Sequence, residues 1–72
     1  MDAIDALELV VNGEALRLAG ATNVAALLDH LRLDRRKVAV ELNEEIVPRS
    51  VYDTTRLRPA DRLEIVHFIG GG

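Results

Sequence analysis

The chain has 72 residues, of which 49% are hydrophobic and 29% charged, and its formal net charge at pH 7 is −3. This composition is typical of one compact globular domain and argues against a disordered chain. The acidic balance argues against nucleic-acid binding, and no apolar stretch is long enough to cross a membrane. The chain has no cysteine, which excludes disulfides and thiolate metal sites. The N-terminus is acidic and unlike a secretion signal, so the expected location is the cytoplasm.

The first structural element predicted is a β-hairpin. Residues 1–6 are interpreted as an N-terminal extension, and residues 7–11 alternate as a strand does. Asn12-Gly13 follows, which is the strongest short hairpin signal, because both positions of a type I′ turn need positive φ. The returning strand places Leu16 and Leu18 on one face.

One amphipathic helix is predicted after the hairpin. Its start is indicated by Thr22 or Asn23, because the side chains of both residue types cap helix N-termini. Its buried stripe follows the spacing i, i+3, i+4 and i+7 and consists of Val24, Leu27, Leu28 and Leu31. Basic residues are expected around the helix C-terminus, where cations favour the negative end of the dipole; they are Arg32, Arg35, Arg36 and Lys37. The alternative for this basic run is a docking site for an acidic partner.

Three more strands are predicted in the second half of the chain. Residues 38–42 and 63–68 alternate between apolar and other side chains. Residues 46–47 form a very short strand that ends at Pro48, because proline cannot donate to a β-ladder. A helical turn is expected near Ser50. The fold class is therefore α+β, with a single helix that covers one face of the sheet and leaves the other face exposed.

The chain closes with Gly70-Gly71-Gly72, which we interpret as part of a flexible glycine tail over residues 69–72 of a single domain, 1–72. Glycine makes up about 7% of ordinary sequence, so a chance run of three is rare. Glycine has no Cβ, and a glycine run can pass through a narrow channel. The reactive group that such a tail presents is the carboxylate of Gly72.

Three features together resemble the ThiS family, the sulfur carrier proteins of thiamine biosynthesis. They are the order ββαββ, the closing Gly-Gly, and a segment formed by Asn43, Val47, Pro48 and Arg49. The approach to the tail, residues 66–70, also points to this family, and the similarity spans residues 7–72. The resemblance implies a ubiquitin-like β-grasp fold, with a mixed four- to five-stranded sheet and one helix packed across one face.

The resemblance also implies a function. An E1-like adenylyltransferase (ThiF) uses ATP to adenylate the last glycine, which here is Gly72. Sulfur from cysteine, delivered through a desulfurase, then leaves a C-terminal thiocarboxylate, and a ThiG-like thiazole synthase takes that sulfur to build the thiazole ring. The carrier itself is a co-substrate rather than an enzyme, with no catalytic residue, bound cofactor or metal of its own.

A partner-binding surface is expected on the uncovered face of the sheet. Val66 and Phe68 are expected to form an apolar patch there, joined by Ala39 and Glu41 if the third strand neighbours the last. Phe68 is the expected anchor, since aromatic residues dominate interface energetics. Glu64, together with the nearby Asp61, is expected to meet basic surface on the adenylyltransferase.

Other polar residues are given structural interpretations. His67 is read as a strand residue rather than a base, and Arg49 is expected to pair with Glu44 or Glu45. Three alternative functions remain open on the sequence: the small subunit of molybdopterin synthase, a ubiquitin-like modifier that joins lysines through isopeptide bonds, and an interaction domain with an inert tail.

Overall fold

A computed structural model describes residues 6–19 and 22–68. They form one mixed five-stranded sheet in the order β2-β1-β5-β3-β4, with one α-helix on it. The elements are β1 (Ala6–Val11), β2 (Glu14–Ala19), α1 (Val24–His30), β3 (Val38–Leu42), β4 (Glu45–Val47) and β5 (Arg62–His67). Two 3₁₀ turns, Arg35–Lys37 and Arg49–Val51, precede β3 and follow β4. The predicted α+β class is confirmed.

The predicted hairpin is formed by β1 and β2, which pair antiparallel from Ala6 opposite Ala19 to Val11 opposite Glu14. Asn12 and Gly13 both have positive φ, 51° and 82°, as the turn requires. Ala6 therefore belongs to β1, and the rest of the predicted extension, residues 1–5, lies outside the described residues.

The side chain of Asn12 also joins the hairpin to β5. Its Oδ1 accepts a hydrogen bond from the backbone N–H of Ile65 at 2.8 Å, and its Nδ2 donates to the Ile65 carbonyl at 3.2 Å. The amide thus continues the ladder where β1 ends, while β1 itself pairs with β5 in parallel only at Val10 and Val11. These bonds hold β5 in place just before the chain leaves the sheet.

The helix begins where the sequence predicts, and its last residue is His30, so Leu31 of the predicted stripe lies just beyond it. Asn23 caps it, with Oδ1 accepting from the Ala26 N–H at 2.8 Å. The first two N–H groups of α1 donate to carbonyls of the 52–55 loop, which closes over the helix N-terminus. Leu31 lies at the C-terminal cap and is half-buried. No helix in the described part of the chain is long and apolar enough to cross a membrane.

The basic run after the helix is arranged differently from the prediction. Arg35–Lys37 form a separate 3₁₀ turn beyond the end of α1, so the helix dipole does not explain their position. Arg35 instead makes two hydrogen bonds with the carboxylate of Asp53, at 2.8 and 3.1 Å. Arg36 pairs with Asp34, and the hydrogen bond from the guanidinium lowers the pKa of the Asp34 carboxyl to about 2.

The core lies between α1 and one face of the sheet. The largest fully buried side chains come from both layers and from the loop that follows β4: Tyr52, Leu9, Leu27, Leu28, Leu63, Val24, Val38 and Val40. No polar or charged residue among the described ones is buried. With one helix on one face, the opposite face of the sheet stays in solvent, and that face positions the candidate site.

Candidate functional site

The predicted glycine tail, including Gly70, Gly71 and Gly72, lies outside the described residues, and its role stays a prediction. Phe68 is the last described residue before it. The backbone N–H of Phe68 donates to the Lys37 carbonyl at 2.7 Å, which extends the β3–β5 ladder one residue past His67. The chain is therefore fixed to the sheet up to Phe68.

The open face, meaning the sheet face opposite α1, carries the predicted partner-binding residues together. β3 neighbours β5, as the patch prediction required, and pairs with it antiparallel. Ala39 lies opposite Val66, and Glu41 lies opposite Glu64. Leu63 and Ile65 on β5 are buried, so alternation directs Glu64 and Val66 to the open face, and Phe68 continues the same alternation. The predicted juxtaposition is confirmed; its role in binding stays a prediction.

The apolar part of the open face is well exposed. Val66 keeps 58% of its surface accessible and Phe68 keeps 49%. Exposed apolar clusters on small proteins mark interaction sites more often than isolated exposed residues do. Val66 lies on β5 and Phe68 follows the last residue of that strand, so a protein that binds both side chains also holds the chain directly before residue 69.

Ile46 belongs to the same face and was missed in the sequence. It lies on β4 opposite Glu41 and is 75% exposed, the most exposed large hydrophobic residue among those described. Its neighbour Val47 is buried, so alternation on a short strand already places Ile46 outward. Strand alternation applies to this segment in the sequence as well. The predicted strand had only two residues before Pro48, however, and two residues do not show which side chain faces the core.

Acidic side chains flank the apolar patch. Glu41 and Glu64 occupy directly opposite positions on neighbouring strands, an arrangement that is destabilising for like charges. They line a shallow cavity of about 290 Å³ with Asn43, Glu44 and Arg62. The cavity is thus lined by three acidic side chains and one arginine, and we expect it to suit a partner that brings cationic groups.

The carboxylate of Asp61 makes hydrogen bonds that stabilise a turn of the fold. Its carboxylate accepts hydrogen bonds from the Asn43 side chain at 3.0 Å and from the Arg58 N–H at 2.8 Å. Asn43, in turn, accepts from the Arg62 N–H at 3.0 Å. These hydrogen bonds fix the turn before β5. Asp61 therefore has a structural role at the edge of the open face, in contrast to the predicted role in partner binding.

The remaining polar predictions have mixed outcomes. Arg49 forms no ion pair with Glu44 or Glu45; among the described residues the ion pairs are Arg17–Glu8, Arg35–Asp53 and Arg36–Asp34. The proposed pairing of Arg49 is therefore wrong. His67 is the exposed last residue of β5. Over residues 6–19 and 22–68, His, Asp and Glu side chains nowhere group in a way that could hold a metal ion.

Comparisons with known proteins agree on one family. A model of the ThiS family matches residues 9–72. The chain is 52% identical over 66 residues to a thiazole synthase of Paramagnetospirillum magneticum, an alignment that covers 92% of this chain and 20% of that protein. It is 37% identical over 65 residues to the sulfur carrier protein ThiS of Bacillus subtilis, covering 89% of this chain and 98% of that protein.

A solved structure gives the same result. The crystal structure of the thiamine biosynthesis protein ThiS from Geobacter metallireducens matches with a TM-score of 0.78 and 36% identity, over 92% of this chain and 100% of that one. The Bacillus and Geobacter proteins thus match over nearly their full length. The chain spans only about a fifth, 20%, of the length of the Paramagnetospirillum thiazole synthase.

Proposed function

The chain belongs to the ThiS family and has its ubiquitin-like β-grasp fold, and from this premise we propose that it carries sulfur for thiazole formation on the carbonyl carbon of Gly72. The observation that carries the proposal is the family match, which runs through the last glycine. The near-complete alignment with the sulfur carrier of Bacillus subtilis supports it further. This alignment favours a ThiS sulfur carrier over the small subunit of molybdopterin synthase.

The proposed chemistry needs activation by a partner. A carboxylate is a poor electrophile, and joining Gly72 to AMP gives its carbonyl carbon a good leaving group. A ThiF-like adenylyltransferase forms this acyl-adenylate and pyrophosphate from ATP. The terminal sulfur of a persulfide, which a desulfurase makes from cysteine, then attacks the Gly72 carbonyl carbon and displaces AMP. Two electrons from a partner's thiol reduce the resulting acyl disulfide and leave the sulfur on the carbonyl carbon. The product is a thiocarboxylate, whose sulfur is a better nucleophile than the oxygen that it replaces. The chain is a carrier, and its partners supply the acids, bases and ATP.

The described part of the chain supplies a docking face and a fixed starting point for the tail. The Phe68 N–H donates to the carbonyl of Lys37, the residue just before β3, and four residues follow Phe68 in the sequence. Four extended residues span at most about 13–14 Å. The reactive centre of each partner must therefore lie within that distance of the surface that receives Phe68.

The acceptor of the sulfur is proposed to be a ThiG-like thiazole synthase. In Paramagnetospirillum magneticum, a segment similar to 92% of this chain is part of a protein named thiazole synthase. Joining two modules in one chain raises their effective concentration for each other, which is useful when one module delivers a group to the other. The open face is the proposed docking surface for this delivery.

The adenylation step can be tested by pyrophosphate exchange. The adenylyltransferase of the same organism is expected to exchange labelled pyrophosphate into ATP when the chain is added, because formation of the acyl-adenylate is reversible. The ThiS of Bacillus subtilis serves as the reference carrier. If the enzyme exchanges pyrophosphate with that reference and not with this chain, the proposed activation of Gly72 is wrong.

A further inference from the structure

The chain contains one Asn-Gly dipeptide, formed by Asn12 and Gly13. An asparagine side chain loses its amide when the backbone nitrogen of the next residue attacks its carbonyl carbon, and glycine hinders that attack least because it has no Cβ. The chain has three asparagines and no glutamine, and valine and glutamate follow the other two, Asn23 and Asn43. The sequence therefore makes Asn12 the most reactive side-chain amide of the unfolded chain.

The surroundings of Gly13 leave the dipeptide open to water. Asn12 and Gly13 are both exposed. Apart from the two chain neighbours of Gly13, nothing among the described residues lies within 4 Å of the position that a Cβ on Gly13 would take. Packing therefore does not protect Asn12, and its protection in the folded chain has to come from the geometry of the turn and from hydrogen bonds.

The turn holds the backbone of Asn12 in a conformation that does not allow the attack. The product of the attack is a five-membered imide ring, which contains the Cα–C bond of Asn12 and closes only when Cβ eclipses the Gly13 nitrogen. Asn12 and Gly13 have positive φ, 51° and 82°, as in a type I′ turn. The ψ of the first residue of such a turn is about 30°, which keeps Cβ away from the eclipsed position. The imide therefore forms only after the turn has opened.

Three hydrogen bonds to β5 keep the turn closed. The backbone N–H of Asn12 donates to the Leu63 carbonyl at 2.9 Å. The side-chain oxygen of Asn12 accepts from the Ile65 N–H at 2.8 Å, and its side-chain nitrogen donates to the Ile65 carbonyl at 3.2 Å. The amide that reacts is thus the same group that joins the hairpin to β5, and it is held in place while the sheet is intact.

We propose that Asn12 is a deamidation site that the fold protects, unreactive in the native hairpin and reactive once the turn separates from β5. In the open chain the deprotonated Gly13 nitrogen attacks the side-chain carbonyl carbon of Asn12 and forms a C–N bond. The bond from that carbon to the side-chain nitrogen breaks, and the nitrogen takes a proton from water and leaves as ammonia. Water then opens the imide at either carbonyl and yields aspartate or isoaspartate at this position.

The product does not fit the position that the amide occupied. An amide offers both a donor and an acceptor, whereas an ionised carboxylate only accepts. Aspartate at position 12 accepts from the Ile65 N–H but turns its second oxygen toward the Ile65 carbonyl, which is also an acceptor. Isoaspartate lengthens the backbone of the two-residue turn by one carbon atom. A chain that reacts while open therefore returns to the fold with a weaker join between the hairpin and β5.

The test compares Asn12 with Asn43 in the folded and the unfolded chain. Asn43 is the matched control, because it also begins a two-residue turn at positive φ, 52°, and its amide also makes two hydrogen bonds, to Asp61 and Arg62. The wild-type chain is incubated at mildly alkaline pH with and without guanidinium chloride, and peptide mapping by mass spectrometry follows each asparagine.

In the denaturant we expect loss of the amide at residue 12 and its retention at residue 43. Without the denaturant we expect the loss at residue 12 to be at least about tenfold slower, because the reaction then proceeds only through the rare open state. Equal rates at residue 12 under the two conditions overturn the proposed protection. Equal retention at residues 12 and 43 in the denaturant overturns the site itself.

Asn12→Asp supplies one product directly and tests its effect on the fold. Its melting temperature is expected to fall by about 4–8 °C, the shift for a domain of this size that loses one hydrogen bond. Asn23→Asp makes the same change of charge and keeps the helix cap, since aspartate caps as well as asparagine does, and is expected to stay closer to the wild type. An unchanged melting temperature for Asn12→Asp, or an equal fall in both variants, contradicts the assigned effect. Neither measurement involves the adenylyltransferase, so both outcomes are independent of the proposed function.

Discussion

Deletion of Gly72 is expected to reduce chain-dependent pyrophosphate exchange by at least about 100-fold, the cost of a misplacement of about 1 Å at a reacting centre. The deletion moves the terminal carboxylate back by one residue, about 3.3–3.6 Å, while the Phe68 N–H keeps its hydrogen bond to the Lys37 carbonyl. The adenylyltransferase then has no carboxylate at its reactive centre. The measurement is the exchange rate with saturating carrier.

The same variant is expected to keep the melting temperature of the wild type. The buried core of the described residues runs from Leu7 to Ile65, and a glycine has no side chain to add to it. Deleting Asp2, at the other end of the chain, is the matched control and should leave exchange unchanged. Full exchange by the Gly72 deletion, or a large fall in its melting temperature, contradicts the assigned role of this residue.

Phe68→Ala is expected to weaken binding of the chain to the adenylyltransferase by about 1–3 kcal/mol, as truncation of a buried aromatic anchor does at an interface. This corresponds to a rise in Kd of about 5- to 150-fold. Phe68 keeps 49% of its surface exposed in the free chain, so a partner can bury it further, and it directly precedes residue 69. Isothermal titration calorimetry with the purified enzyme gives the Kd directly.

Two further substitutions define how far the interface extends. Ile46→Ala tests the far edge of the open face, and a rise in Kd there places β4 in the interface. Val51→Ala is the matched control, since Val51 is also an exposed hydrophobic residue, at 37%, but lies in the 3₁₀ turn after β4. An unchanged Kd for Phe68→Ala, or an equal rise for Val51→Ala, removes Phe68 as the anchor.

Local chemistry was sufficient to predict most elements of the fold. The φ requirement of Asn12-Gly13, the capping oxygen of Asn23 and strand alternation each act within a few residues, so the sequence shows them directly. The facing directions of Leu63 and Ile65 follow from the same alternation. The resemblance added the expectation of a mixed sheet with one covered face.

Contacts between distant parts of the chain were not predictable in the same way. Arg35 pairs with Asp53, 18 residues later, so a run of basic residues after a helix was misassigned to the helix dipole. The Asn12 amide bonds to the backbone of Ile65, 53 residues away, and no pattern around Asn12 indicates that partner. The Glu41–Glu64 pair likewise depended on β3 lying beside β5, which alternation alone does not decide.

The central claim is that the terminal carbonyl of Gly72 carries sulfur, and intact-mass analysis of the protein from cells grown without thiamine tests it most directly. The account predicts a population in which one oxygen is replaced by sulfur, with the change confined to the C-terminal peptide that ends in Gly72. A single unaltered mass under those conditions contradicts the account, and adducts of Gly72 with lysines of other proteins would identify a modifier instead.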